Sequence, residues 1–289
     1  MPNAQPLPLI VIVGPTASGK SSLAMEIASQ YNGEIICSDS RTIYKGMDIG
    51  TAKPSREDRA KVPHWGLDIV EPGEQFSAAD FQSYAKKKVE EIRSRGNIPL
   101  MVGGTGLYID GVVYDYNFGQ ARPELREALS SLSDDDLKNY CVNNNIELPE
   151  NDKNRRYVIR AIEQNGINSK RLSALIPNTL VVGIATNPEE LKARIEARAE
   201  QLFANGVVQE AILLGEKYGW DSEAMTGNIY KLARKYLDGE FDEAELLQKF
   251  VTSDWRLAKK QRTWFKRNPD IHWGTPAELH AYLDNILSA

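Results

Sequence analysis

The chain has 289 residues, 42% of them apolar and 26% charged, the balance of an ordinary soluble globular protein. That length allows one large or two modest domains whose core needs no disulfide or metal. The two cysteines, Cys37 and Cys141, lie far apart and outside any CxxC or Cys/His array, which argues against a zinc site and a disulfide framework and fits a reducing cytoplasm. The longest apolar run near the start, Leu9–Val13, is far too short for a bilayer span of about 20 residues. The segment MPNAQPLP before it lacks the basic stretch of a signal peptide. A net charge of −5 argues weakly against nucleic acid, although the distribution of charge matters more than its sum.

In chain order, PLIVIVG predicts a buried strand, then a Gly-rich turn and a helix from about Ser21 with Leu23, Ala24, Ile27 and Ala28 on one face. Ile35–Ser38 predicts a second short strand. Ser77-Ala-Ala-Asp80 has the form of a capping box with Asp in place of Glu; the helix after it turns Phe81, Tyr84, Ala85, Val89 and Ile92 inward and stops at Gly96. Ile98–Val102 is another strand, closed by Gly103-Gly104-Thr105-Gly106. Strands alternating with helices imply a parallel sheet covered on both faces. From 118 to 178 the chain turns polar and helical, an insertion with no convincing strand. Residues 180–186 return to strand character, Asn187-Pro188 starts a helix, and the chain reads as helical from there to its end. The expected fold is α/β: a P-loop NTPase-like parallel sheet with a helical insertion and helical C-terminal elements. Its catalytic core would span 7–117 and 179–215, its insertion 118–178, and its C-terminal helical region 216–289.

The segment Gly14-Pro15-Thr16-Ala17-Ser18-Gly19-Lys20-Ser21 fits GxxxxGK[ST] between a strand and a helix, the setting of a phosphate-binding loop. Successive backbone N–H groups in such a turn form a concavity for an anion, and the helix N-terminus adds partial positive charge. Lys20 supplies a full charge, and the Ser21 hydroxyl can ligate Mg²⁺. Triphosphate and diphosphate both fit. Asp39, in Ser38-Asp39-Ser40-Arg41, follows the second strand, and ligands gather at the carboxyl ends of strands in such sheets. Taken alone, it is as readily a helix cap as a general base or a metal ligand.

GPTASGKS, SDSRTIYKGMDIGTAKP, FSAADF and IPLMVGGTGLY, in that order, resemble the tRNA dimethylallyltransferase family, and the likeness continues in RRYVIRAIE, RIEARAEQLFANGVVQEA and AKKQRTWFKR. It covers residues from about 9 to 273. The resemblance implies transfer of a dimethylallyl group from dimethylallyl diphosphate to N6 of the adenosine next to the tRNA anticodon. It implies that the P-loop holds the donor's diphosphate and that Asp39 acts on the adenine amine, with Lys20 and Thr105 beside it. It further implies tRNA contacts at Asp39, Ser40, Arg41, Thr42, Thr105, Arg126, Arg156, Tyr157, Val158, Ile159, Arg160, Lys259, Lys260 and Gln261. Two departures stand out: Thr42 occupies the place of a usual Gln, and Gly227–Arg234 replaces an expected Ile-Gly-Tyr-Lys-Glu stretch.

Arg194 and Arg198 lie one turn apart and border an apolar face of Leu191, Ile195, Ala199 and Leu202, so they can clamp an anion. Alternatively they are a solvated pair with Arg194 tied to Glu190; the resemblance favours a donor contact for at least one. Basic residues cluster at Lys153–Arg160 and again at Arg256, Lys259, Lys260, Arg262, Lys266 and Arg267, with no acid in 256–267. Two such clusters in a negatively charged chain point to an RNA backbone. Trp255, Trp264 and Phe265 among them read as core, and His64 reads as structural. The partners expected are tRNA and dimethylallyl diphosphate, with Mg²⁺ as cofactor, no membrane, and a cytoplasmic monomer. Two alternatives stay open: a prenyltransferase acting on free adenine nucleotides, and a small-molecule kinase using Asp39 as base toward a hydroxyl.

Overall fold

The computed structural model describes residues 7–119, 122–149, 151–164 and 172–288. The MPNAQP start of the leader segment, and residues 120–121, 150 and 165–171 of the expected insertion, lie outside them. Two compact units result, Tyr114–Ala174 and the remainder of the chain.

The larger unit is built on six parallel strands: β1 (Leu9–Val13), β2 (Gly33–Ser38), β3 (His64–Trp65), β4 (Ile98–Gly103), β5 (Thr179–Ile184) and β6 (Ile271–Gly274). Their order is β3-β2-β4-β1-β5-β6. Every residue of β1, β2 and β4 is buried, as expected of strands covered on both faces. Helix α1 (Lys20–Gln30) follows β1, α2 (Arg56–Lys61) precedes β3, α3 (Ala78–Ser94) leads into β4, and α4 (Gly106–Val113) leaves it. The Ser77–Asp80 capping box is formed in both directions, and Phe81, Ala85, Val89 and Ile92 are buried as the periodicity predicts.

The smaller unit contains α5 (Pro123–Ser130), α6 (Asp134–Asn143) and α7 (Arg155–Gln164), with no strand among its described residues. Its own core gathers Leu129, Leu137, Cys141, Ile146, Val158, Ile159 and Ile162. The compact unit Tyr114–Ala174 overlaps most of the expected 118–178 insertion.

After β5 come α8 (Pro188–Ala204), α9 (Val207–Tyr218), α10 (Asn228–Leu237), α11 (Glu243–Phe265) and α12 (Pro276–Leu287). The reading of an all-helical C-terminal region is corrected here. Ile271–Gly274 forms β6, which pairs with β5 in parallel through Ile271 opposite Val181 and Trp273 opposite Gly183. Four residues, buried only at the two ends, are too short a signal to separate from a helix terminus. Helices α8 to α11 close over the 43–47 loop in one apolar cluster that includes Ile43, Tyr44, Met47, Ile195, Tyr230 and Phe250.

Strand β4 passes very close to β2 at its carboxyl end. A Cβ built on Gly103 would overlap the carbonyl oxygen of Ser38, a backbone atom that cannot swing away. Gly103→Ala should therefore separate the two strands where the site begins. The expected outcome is a fall of several degrees or more in melting temperature, measured by circular dichroism; a melting curve matching the parent's would mean the ladder yields there at little cost.

Candidate active site

Three loops leave the carboxyl ends of β1, β4 and β2, which lie side by side in the sheet. They line one cavity of about 1710 Å³, together with residues of α8, α10 and α11. The first loop is Gly14–Gly19. It turns through left-handed backbone at Ala17 (φ 60°) and Gly19 (φ 95°). The Lys20 ammonium donates to the Pro15 carbonyl across the loop (2.6 Å). Ser18 is buried, and its hydroxyl has no hydrogen-bond partner among the described residues.

Two arginines reach this loop from α8. Arg198 donates to the Thr16 hydroxyl. Arg194 donates to the Ser18 carbonyl (3.4 Å) and also lies 3.6 Å from Glu190, so the solvated pair and the reach toward the loop coexist. Burial, and then the Arg198 charge, pull the Lys20 ammonium down from its usual range to about 8, against an opposing pull from Asp39.

Asp39 follows β2, half-buried, and its Oδ1 accepts from the Arg41 amide (2.8 Å). No cation stands within ion-pair distance of it among the described residues. Thr105, after β4, is drawn in from both sides. Its amide donates to the Ser38 carbonyl (3.3 Å), and its hydroxyl accepts from the Ser40 amide (3.1 Å). The other loop carboxylates, Asp48 and Asp68, are both spent on Lys53, at 2.8 and 2.6 Å. Arg59 adds a second ion pair to Asp68 (3.1 Å). Asp39 is thus the loop carboxylate left without a counterion. Cys37 also lines the cavity, but burial and the nearby Asp39 push its thiol up to about 12, which leaves it protonated and unreactive. His64 bonds the Val62 carbonyl through Nδ1 (2.8 Å), and burial lowers its pKa, as a neutral structural histidine requires.

Gln261 and Trp264, on α11, meet these loops directly. The Gln261 carboxamide accepts from the Thr16 amide (2.8 Å) and donates to the Gly104 carbonyl (3.1 Å). Trp264 packs on Gly106, where there is no room for a Cβ, and its indole donates to Asp110 (2.8 Å). Phe265 is buried, so the aromatics of this helix are largely core, as the sequence reading held. Lys259 and Lys260 are exposed and make no ion pair among the described residues, and Lys259 stands over the Trp255 ring at 5.1 Å.

Of the insertion residues expected at the tRNA, Arg126, Val158, Ile159 and Arg160 are engaged within the unit itself. Arg126 pairs with the buried Glu163 through two parallel 2.7 Å bonds. Arg160 joins the same carboxylate at 3.4 Å and also donates to the Phe118 carbonyl. Val158 and Ile159 are buried in the unit's core, so neither presents its side chain to a partner. Tyr157 remains half-exposed.

Comparison with known proteins decides the family. A family model described as IPP transferase matches residues 42–268. The chain belongs to the IPP transferase family. It is 36% identical over 277 residues to the tRNA dimethylallyltransferase of Anoxybacillus flavithermus, covering 92% of this chain and 89% of that one. It is also similar to two crystal structures. One is the full-length tRNA isopentenylpyrophosphate transferase of Bacillus halodurans, at 33% identity, TM-score 0.75, with 97% of each chain covered. The other is the tRNA delta(2)-isopentenylpyrophosphate transferase of Staphylococcus epidermidis, at 34% identity, TM-score 0.73, with 98% of each covered.

Among the described residues of this IPP transferase, no three His, Cys, Asp or Glu side chains cluster to hold a metal ion, and no helix is long and apolar enough to cross a membrane. The Ser21 hydroxyl, exposed in the first turn of α1, fits an ion that takes few protein ligands. Mg²⁺ is such an ion, since it keeps several waters and binds through phosphate oxygens.

Residues outside the sequence reading also shape the site. Glu210 of α9 accepts from three successive amides, Asp48 (2.8 Å), Ile49 (2.6 Å) and Gly50 (2.9 Å), and from the Tyr230 hydroxyl (2.8 Å). Asp254 of α11 is buried beside Arg198. A lone acid just before the basic 256–267 stretch was the one available sign of it. The depressed lysine has a consequence for pH. A diphosphate binds the ammonium form, so donor affinity should weaken as pH rises through about 8. Lys20→Arg keeps its charge throughout that range. The donor KM of the parent should rise above pH 8 while that of the variant stays level; parallel profiles would assign the alkaline limb to another group.

Proposed function

We propose that this IPP transferase moves a dimethylallyl group from dimethylallyl diphosphate to N6 of the adenosine next to the anticodon of tRNA, releasing diphosphate. The observation that carries the reading is one cavity that holds two kinds of group side by side. Lys20 and Arg198 line it at the P-loop, and Asp39, which makes no ion pair among the described residues, lines it within electrostatic reach of Lys20.

The first carbon of the donor loses its bond to the diphosphate oxygen as the adenine amine forms a bond to it. Charge grows on the leaving oxygen. The Ala17 and Gly19 amides, Lys20, Arg198 and Arg194 would meet that charge already oriented, which favours the transition state over the bound donor. The buried Ser18 hydroxyl, with its proton uncommitted, is a further donor toward the same anion. Ser21 would supply the protein ligand of a Mg²⁺ ion, which when bound neutralises charge on the diphosphate oxygens.

The amine is a poor nucleophile because its lone pair is delocalised into the ring. Asp39 would take its proton as the carbon–nitrogen bond forms. Thr105 and Ser40 fix the approach to that carboxylate through their mutual hydrogen bond. The base must leave its stack to enter the cavity. The exposed Lys259 and Lys260, with Arg256 and Arg262, would hold the RNA backbone while it does, and Arg41, Arg156 and Tyr157 are the remaining side-chain candidates along the RNA. The protein would act as a cytoplasmic monomer with 118–178 as a helical insertion contacting the tRNA.

Mass spectrometry of bulk tRNA after incubation with Mg²⁺ and either dimethylallyl diphosphate or ATP tests the assignment. A mass gain matching one dimethylallyl group per modified adenosine, only with the first donor, is expected; transfer from ATP alone would point to a kinase. Asp39→Asn keeps the bond from the Arg41 amide but removes the proton acceptor. Its single-turnover rate at saturating substrates should fall by about 10²–10⁴ with little change in the binding of either substrate. A folded variant that prenylates at the parent's rate would free Asp39 of that role.

Charge reversal at Lys259, Lys260 and Arg262 should raise the KM for tRNA and flatten its dependence on salt, because fewer counterions are released on binding. An unchanged salt slope would return this helix face to solvent.

A further inference from the structure

Asp254 is out of place by simple electrostatics. It lies in the wall of the cavity, buried, on the side of Arg198 and Lys20, where a carboxylate repels the diphosphate that the site is built to receive. Its two oxygens have different partners. Oδ1 accepts from the side-chain Nδ2 of Asn228 (3.1 Å), and Oδ2 faces the Arg198 guanidinium (3.9 Å). The same Nη1 of Arg198 donates to the Thr16 hydroxyl in the P-loop. Asn228, at the first turn of α10, thus fixes the carboxylate, the carboxylate restrains the arginine, and the arginine reaches the loop. All four side chains line one cavity.

We propose that Asp254, held by Asn228, is a positioning residue for Arg198, keeping its guanidinium on the P-loop so that it meets the leaving diphosphate in a fixed orientation. Arginine is long and loses much rotamer freedom when ordered. A guanidinium ordered before the donor arrives delivers its charge without reorganisation. Arg194 offers the contrast. Its partner Glu190 is exposed and one helical turn away, and its own side chain is about half-exposed. Arg198 is the arginine with a buried counterion, and its side chain is only 25% exposed.

The proposal rests on the diphosphate reading of this site, and it separates from that reading experimentally. Two effects of Asp254→Asn have opposite signs. Removing a negative charge near an anion site tightens anion binding, and releasing Arg198 loosens it. The probe is inorganic pyrophosphate with Mg²⁺, titrated by calorimetry into wild type, Asp254→Asn, Arg198→Ala and the double variant, with melting temperatures as a check on folding. Positioning requires Asp254→Asn to weaken pyrophosphate binding about fivefold or more in the wild-type background. In the Arg198→Ala background the same change should leave binding level or tighten it. Asn228→Ala, which leaves the carboxylate in place but unfixed, should weaken binding in the same background-dependent way and serves if Asp254→Asn does not fold. Tightening or no change in the wild-type background overturns the proposal, as does equal weakening in both backgrounds, the mark of a merely structural role. Wild type that binds pyrophosphate but leaves tRNA unprenylated would sink the proposed reaction alone, because the cycle is read in binding.

Discussion

One carboxamide ties the site together. Gln261 takes the amide proton of Thr16 from the P-loop and gives its own to the carbonyl of Gly104. The loops after β1 and β4 are thereby locked to each other, and β4 is already locked to β2 by the close approach of Gly103 to the Ser38 carbonyl. The side chain that does this comes from α11, a helix of 23 residues far along the chain. It sits where it does because Ala258 and Phe265 are buried on the helix's inner face and Trp264 lies against Gly106, which has no side chain. The sheet alone would place three mobile loops near one another; this helix converts them into a single surface. That is why the C-terminal region belongs to the catalytic unit and does not form a separate body.

The price of such a surface is a buried charge. Burial chiefly, with Arg198 adding and Asp39 opposing, lowers the pKa of Lys20 from 10.5 to about 8. At about 1.36 kcal/mol per unit, holding that ammonium charged costs on the order of 3 kcal/mol before any donor binds. An anion bound beside it would favour the charged form of the lysine. The site is therefore a better partner for a multiply charged anion than for water. The two cavity carboxylates differ accordingly. Asp254 is shut in and its carboxyl is pushed up, chiefly by burial, with Arg198 opposing. Asp39 stands half-buried at the strand end with one oxygen engaged by a backbone amide.

The parts legible in the sequence were those with a local cause. GPTASGKS announces a backbone conformation, and Ser77–Asp80 a helix start; both form as expected. The parallel sheet followed from alternation. What stayed hidden depends on partners distant in the chain. Glu210 is an ordinary helical glutamate until three amides from the 48–50 turn are brought to it. Arg126 was expected only at the tRNA, because nothing near it in sequence reveals the buried Glu163. Strand β6 is four residues long, and only the open edge of β5 makes it a strand.

The two departures from the family pattern are absorbed in the same way, by side chains that satisfy local polar groups. Thr42 is buried, and its hydroxyl donates to the Asp39 carbonyl (3.3 Å). It thus steadies the turn that carries the carboxylate instead of reaching outward as a longer amide would. In the 227–234 stretch, Tyr230 is buried and donates to Glu210. Its ring lies so close to Gly50 that a Cβ there would stand 2.6 Å from the hydroxyl oxygen. Gly50, Glu210 and Tyr230 therefore form one interlocked set: the glycine admits the ring, the ring holds the carboxylate, and the carboxylate gathers the loop amides. Asn228 in the same stretch fixes Asp254. A segment that looked eroded in sequence thus braces the cavity wall at two points, and change in any one of these residues forces change in the others.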